Sequence, residues 1–205
     1  SLRSGRNLLG RGILQVPHKI RLFLSLIGLS HETVTVDLSK GEHREPWFLA
    51  INPEACVPVI DDDGTVLHDS AAILVYLAEK YADGNWLPKE ALTAAMVIRW
   101  LVFEQGMMRY GLARGRSISL NNPIRLAGTG SLDECHRIGT DALDLLEAQL
   151  SQTTWLVGND HPTIADVACY PYSLLAPDAG LSLEAYPAIM EWFGNIKTLP
   201  GYRPM

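Results

Sequence analysis

The chain holds 205 residues, 47% of them apolar and 20% charged, with a formal net charge of −6. That length and mix fit one globular domain or two modest ones and exclude a disordered or fibrous chain. The negative balance repels phosphate backbones and anionic lipid, which argues against nucleic acid and membrane partners.

The longest apolar run, IRLFLSLIGL, is about half the roughly 20 residues that a bilayer crossing takes. Cys56, Cys135 and Cys169 are widely spaced and make no Cys-x-x-Cys pair, which fits free thiols in a reducing cytoplasm. No His-x-x-x-His or cysteine cluster offers a metal cage, so no metal is expected. No Gly-x-Ser-x-Gly elbow occurs, and GTGS at 128–131 is not followed by the lysine of a phosphate loop.

In chain order, RNLLGRG at 6–12 reads as a short buried strand. Pro17 suits a first helical position, Ile20, Phe23, Leu24 and Ile27 recur at helical spacing, and Gly28 closes the helix. ETVTVDL alternates with period two and predicts a half-buried strand over 32–38. REPWFLAI makes a short helix or turn ending at Asn52-Pro53. VPVI, a turn on DDDG, and TVLH form a hairpin. A helix then starts at Ser70, with Ile73, Leu74 and Leu77 inward and Lys80 in its last turn. The order β-α-β-α-β-β-α gives a small mixed sheet with helices on its faces.

ADGNWLPKE then breaks the pattern, and no strand is read beyond it. Helical spacing runs over 90–113. Ser131 with Glu134, and Thr163 with Asp166, sit at capping-box spacing, and a last helix covers 185–198. The reading is an α/β domain at 1–82, a linker at 83–90 and an all-α domain at 91–205.

NPEACVPVIDDDGTVLHDSAAILVYLAEKY, residues 52–81, resembles the Asn-Pro, Val-Pro, Asp-Gly and acid-Ser-x-Ala-Ile signature of cytosolic glutathione transferases. DLSKGEHREPWFLAINP and WLVGNDHPTIADVACYPYSLL look like the family's second-strand region and its C-domain capping-box helix. The resemblance implies a thioredoxin-like N-terminal domain, an all-α C-terminal domain, a homodimer, and glutathione as co-substrate.

By that resemblance the backbone of Val57 pairs with the cysteinyl part of glutathione as an added strand would, and a cis Pro58 shapes that edge. Ser70 would bind the γ-glutamyl carboxylate at a helix start, with Asp69 nearer the ammonium. A serine there also fits a plain helix cap. His43 matches a position that reaches the glycyl carboxylate in some classes, while Arg44 reads as solvated.

The chain departs from the family where a Ser, Cys or Tyr normally activates the thiol. In LLGRGILQVPHK the corresponding positions are Ile13, Leu14 and Val16, none of which can donate a hydrogen bond. Arg11, Gln15 and His18 are the substitutes that the stretch offers, beside the backbone N–H groups of the first helix. Cys56 reads as a small packing residue.

For the electrophile, Phe103, Met107 and Tyr110 form one stripe at helical spacing, which fits either core or a substrate pocket. Arg109, Arg114 and Arg116 could hold an anion or complement a helix C-terminus. The expected activity is conjugation of glutathione to a small hydrophobic electrophile, or its reduction by glutathione. The alternative is a non-catalytic glutathione-binding or protein-interaction scaffold of the same fold.

Overall fold

A computed structural model describes residues 8–10, 18–121, 130–158 and 160–205, with the backbone alone at 8–10. The chain divides into two compact units. The first runs to Ala82 and takes in Pro200–Met205; the second is Asp83–Leu199. The last six residues thus fold with the N-terminal unit, because Ser25 Oγ donates to the Gly201 carbonyl at 2.6 Å. Gly201 sits at φ +82 with no room for a side chain: an added Cβ would lie 2.5 Å from the Ser25 oxygen.

The first unit carries a four-stranded sheet of β1 (Leu8–Gly10), β2 (His31–Thr33), β3 (Val59–Asp62) and β4 (Thr65–His68), in the order β2-β1-β3-β4. β1 pairs parallel with β2 and antiparallel with β3. The parallel crossover is α1 (His18–Leu26), which ends at Gly28 with Gly28 N donating to Ser25 O and Leu29 N to Leu24 O, a Schellman closure.

β2 is shorter than the alternation over 32–38 predicts, and residues 31–35 are all exposed. β2 is an edge strand, and Asp37 turns the chain out of it. Its Oδ1 accepts from Ser39 N and Lys40 N and starts a 3-10 turn at Leu38–Lys40.

A second 3-10 turn, Glu42–Arg44, and α2 (Pro46–Leu49) lead to the hairpin. Asp63 and Gly64, at φ +52 and +89, make its two-residue turn, as hairpin twist requires. Below the turn Asp62 is buried, and its carboxylate accepts from the hydroxyls of Tyr76 and Tyr81 and from Lys80 Nζ. Burial pushes this carboxyl up, but the lysine and the two phenols outweigh it and hold the group below its ordinary value. That network fastens the hairpin to α3 (Ser70–Tyr81).

In the second unit α4 (Ala91–Phe103) continues into a π-helix, Glu104–Ala113, where Arg114 N bonds back to the Arg109 carbonyl. Then come α5 (Arg114–Ser119), α6 (Leu132–Leu150), α7 (Ile164–Leu174) and α8 (Pro187–Lys197). Both expected helix starts form: Ser131 Oγ accepts from Glu134 N, and Thr163 with Asp166 makes a reciprocal capping box. Tyr170 packs edge-on against Trp192 and Phe193 in the core. Among the described residues, no helix is long and apolar enough to cross a membrane.

Candidate functional site

The site begins at the head of β3. The Val57–Pro58 peptide is cis. The Val57 side chain is buried with Val36, Leu38, Phe48 and Val59, which fixes the backbone at that edge of the sheet. The turn before it hangs on Asn52, which is wholly buried. Asn52 Nδ2 donates to the Cys56 carbonyl at 2.8 Å, and its Oδ1 accepts from Glu54 N at 3.1 Å.

Across the hairpin, α3 starts at Ser70, but the cap is Asp69. Its Oδ1 accepts from Ala71 N at 2.9 Å and from Ala72 N at 3.2 Å. The capping role that Ser70 could have filled therefore belongs to its neighbour. Asp69 stands at φ +70 and ψ 126, a conformation that a non-glycine residue rarely adopts and that tends to mark functional positions.

Ser70 instead meets α1. Lys19 Nζ donates to Ser70 Oγ at 3.2 Å, and the two residues are 2% and 7% exposed. An ammonium has no acceptor, so Ser70 Oγ takes the bond as acceptor and its own proton points away from Lys19. A buried positive charge beside a helix N-terminus makes this corner favourable for an anion. Lys19 stands at the lysine of the family motif aligned with LLGRGILQVPHK, but its contact with Ser70, 51 positions away, is visible only in the fold.

His43 lies in the 3-10 turn that follows Gly41 and is partly buried; Arg44 in the same turn is exposed. Of the three substitutes for the missing hydroxyl, Arg11 and Gln15 lie outside the described residues. His18 opens α1. Its Nδ1 is 3.3 Å from Arg21 Nη2, and a guanidinium only donates, so Nδ1 is the acceptor and the proton sits on Nε2. That nitrogen is enclosed and has no hydrogen-bond partner among the described residues. Burial, and secondarily the Arg21 charge, lower the His18 pKa from 6.5 to about 4, so the ring is neutral near pH 7 and offers an N–H but no charge.

In the second unit the Phe103, Met107 and Tyr110 stripe is not a regular one. Phe103 ends α4 and the other two sit in the π-helix, whose wider winding takes residues seven apart off a common face. Met108 is the fully buried methionine, Phe103 stacks edge-on against Trp100, and Tyr110 is 53% exposed. The arginines have internal partners: Arg109 with Gln105, Arg114 with the Gly130 carbonyl, and Arg116 with Asp178 at 2.9 Å. Cys56 is partly buried and sits beside Glu54 and His68.

A small mixed sheet with a cis Val-Pro edge, a capped acid-Ser helix start and a separate all-helical unit define the glutathione transferase fold. The comparisons agree: the family model for the glutathione S-transferase N-terminal domain matches residues 16–80, and that for the C-terminal domain matches residues 130–200. The disulfide-bond oxidoreductase YfcG of Escherichia coli is 32% identical over 194 residues, covering 89% of this chain and 86% of its own. Glutathione S-transferase D7 of Anopheles gambiae is 32% identical over 87% of this chain and 79% of its own. A solved glutathione S-transferase of Pseudomonas fluorescens superposes with a TM-score of 0.87 at 34% identity, covering 96% of this chain and 98% of that one. The chain belongs to the glutathione S-transferase family, whose members use glutathione.

Proposed function

We propose that this protein binds glutathione in its first unit and directs the thiolate at a small hydrophobic electrophile. The observation that carries the reading is the buried Lys19–Ser70 contact at the start of α3. In this reading Ser70 Oγ binds the γ-glutamyl carboxylate, and Lys19, which donates to that oxygen, acts as a positioning residue. Asp69 Oδ2, not used in capping, takes the ammonium. The Val57 backbone pairs with the cysteinyl part beside Pro58, and His43 reaches the glycyl carboxylate.

For the thiol we assign His18 as the donor in place of the missing hydroxyl. Its neutral ring keeps the proton on Nε2 and can stabilise a thiolate through a hydrogen bond. Of Phe103, Met107 and Tyr110, the exposed Tyr110 is the second unit's candidate for contact with an electrophile. The same reading makes the protein a cytoplasmic homodimer serving detoxification, in keeping with its three thiols free of disulfides.

Disulfide reduction is a second reading, favoured by the likeness to a protein named a disulfide-bond oxidoreductase. There the same thiolate attacks one sulfur of a disulfide, forming a mixed disulfide with glutathione and releasing the other sulfur as thiolate.

The test follows the ultraviolet absorbance of bound glutathione thiolate against pH, alongside turnover of a chloronitroarene and of a small dialkyl disulfide. The bound thiol is expected to titrate near about 7, with the shift lost in His18→Gln. Whichever compound turns over separates transfer from reduction. A bound thiol that titrates as it does free in solution, with neither compound turned over, would leave a non-catalytic glutathione-binding scaffold.

A further inference from the structure

We infer that Glu54, Cys56 and His68 form a three-ligand site for a zinc ion. One ligand atom from each, a carboxylate oxygen, the thiol sulfur and a ring nitrogen, lies within 4.8 Å of the other two. No spacing in the sequence announces this. Glu54 and Cys56 come from the turn that Asn52 holds, whereas His68 ends β4. The hairpin register, which sets Val59 opposite His68, brings them together.

The distances suit the ion. Zinc bonds of about 2.3 Å to sulfur and about 2.0–2.2 Å to nitrogen and oxygen, arranged tetrahedrally, put sulfur and oxygen about 3.6 Å apart and nitrogen and oxygen about 3.4 Å apart. Cys56 Sγ is 3.6 Å from Glu54 Oε2, and His68 Nδ1 is 3.5 Å from the same oxygen. Closing the remaining sulfur–nitrogen edge takes only small rotations, and the Glu54 and His68 side chains, 66% and 34% exposed, have room for them.

Two features point to a ligand and not to a chance gathering of side chains. The His68 Nδ1 atom is shielded from solvent and, beyond its 3.5 Å approach to Glu54, makes no hydrogen bond among the described residues. Outside the trio, Asn52 Nδ2 lies 3.3 Å from Cys56 Sγ and supplies a hydrogen bond that orients the sulfur. A sulfur, nitrogen and oxygen set selects a borderline cation over magnesium or calcium, which take oxygen ligands. On binding, the Cys56 S–H bond is replaced by S–Zn and the proton passes to solvent. The fourth position stays open to water.

The inference does not depend on the proposed function, and its test omits glutathione, whose own thiol binds zinc. Cobalt(II) is titrated into the full-length chain under a non-thiol reductant. A thiolate-to-cobalt charge-transfer band saturating at one equivalent, and displaced by zinc, is expected. Cys56→Ser should abolish it, and His68→Ala and Glu54→Gln should each weaken zinc binding by about tenfold or more. All three positions are at least partly solvent-accessible, so circular dichroism should show the wild-type fold in each variant. No band in the wild-type chain, a band that survives Cys56→Ser, or an unchanged zinc affinity in His68→Ala would each overturn the assignment.

Discussion

Asp166→Asn should destabilise the second unit by about 3–5 kcal/mol, since it leaves two buried donors unsatisfied at about 1–3 kcal/mol each. Asp166 is 1% exposed and every neighbour of its carboxylate donates. Oδ1 accepts from Leu156 N at 2.9 Å and Trp192 Nε1 at 3.0 Å; Oδ2 accepts from Thr163 N at 2.8 Å and Thr163 Oγ1 at 3.3 Å. One side chain therefore ties the segment before α7, the α7 cap and α8 together. Asparagine has the same size but exchanges one acceptor for an NH2 group, which would face donors and leave them buried and unsatisfied. Equilibrium denaturant unfolding measures the loss, and a change below about 1 kcal/mol, ordinary for an exposed site, would contradict this account.

Gly111→Ala is expected to be nearly as damaging for a steric reason. The π-helix meets α6 backbone to backbone: a Cβ at Gly111 would lie 2.4 Å from Gly139 N, 2.5 Å from Gly139 Cα and 2.8 Å from the Ile138 carbonyl carbon. Those atoms belong to a 19-residue helix and cannot step aside as a side chain can. Gly139→Ala, by contrast, would meet first the Leu181 Cδ1 methyl at 2.7 Å, which can change rotamer. Overpacking of this kind costs about 3 kcal/mol, or roughly 6–12 °C in the melting temperature of a chain this long. Gly111→Ala should therefore lower the melting temperature clearly more than Gly139→Ala. Equal shifts, or the reverse order, would mean that the helices separate more easily than their contact suggests.

What was legible in the sequence was local. The hairpin turn at Asp63-Gly64, the start of α3 and the Thr163–Asp166 box are written within a few residues each, and the structure forms them where expected. The strand over 32–38 was overread because alternation does not reveal that Asp37 will turn the chain first. The stripe through Phe103, Met107 and Tyr110 assumed 3.6 residues per turn, and nothing in a single sequence marks the change to π winding at Glu104. The Asp-Ser pair marked a helix start but not which of the two residues caps it. Lys19, which completes that corner, and the Glu54–Cys56–His68 group depend on contacts made only once the sheet is assembled.

Calorimetric titration of glutathione into the wild-type chain and into Ser70→Ala, at one pH and salt concentration, tests the central claim most directly. Removing a hydrogen bond to a charged group should cost about 1.5–3 kcal/mol, a loss on the order of ten- to a hundredfold in affinity, with the fold unchanged. Binding by the wild-type chain that falls by that amount in the variant is the predicted result. Equal affinities in the two chains, or no binding by the wild-type chain, would contradict the assignment of the α3 start as the glutathione site.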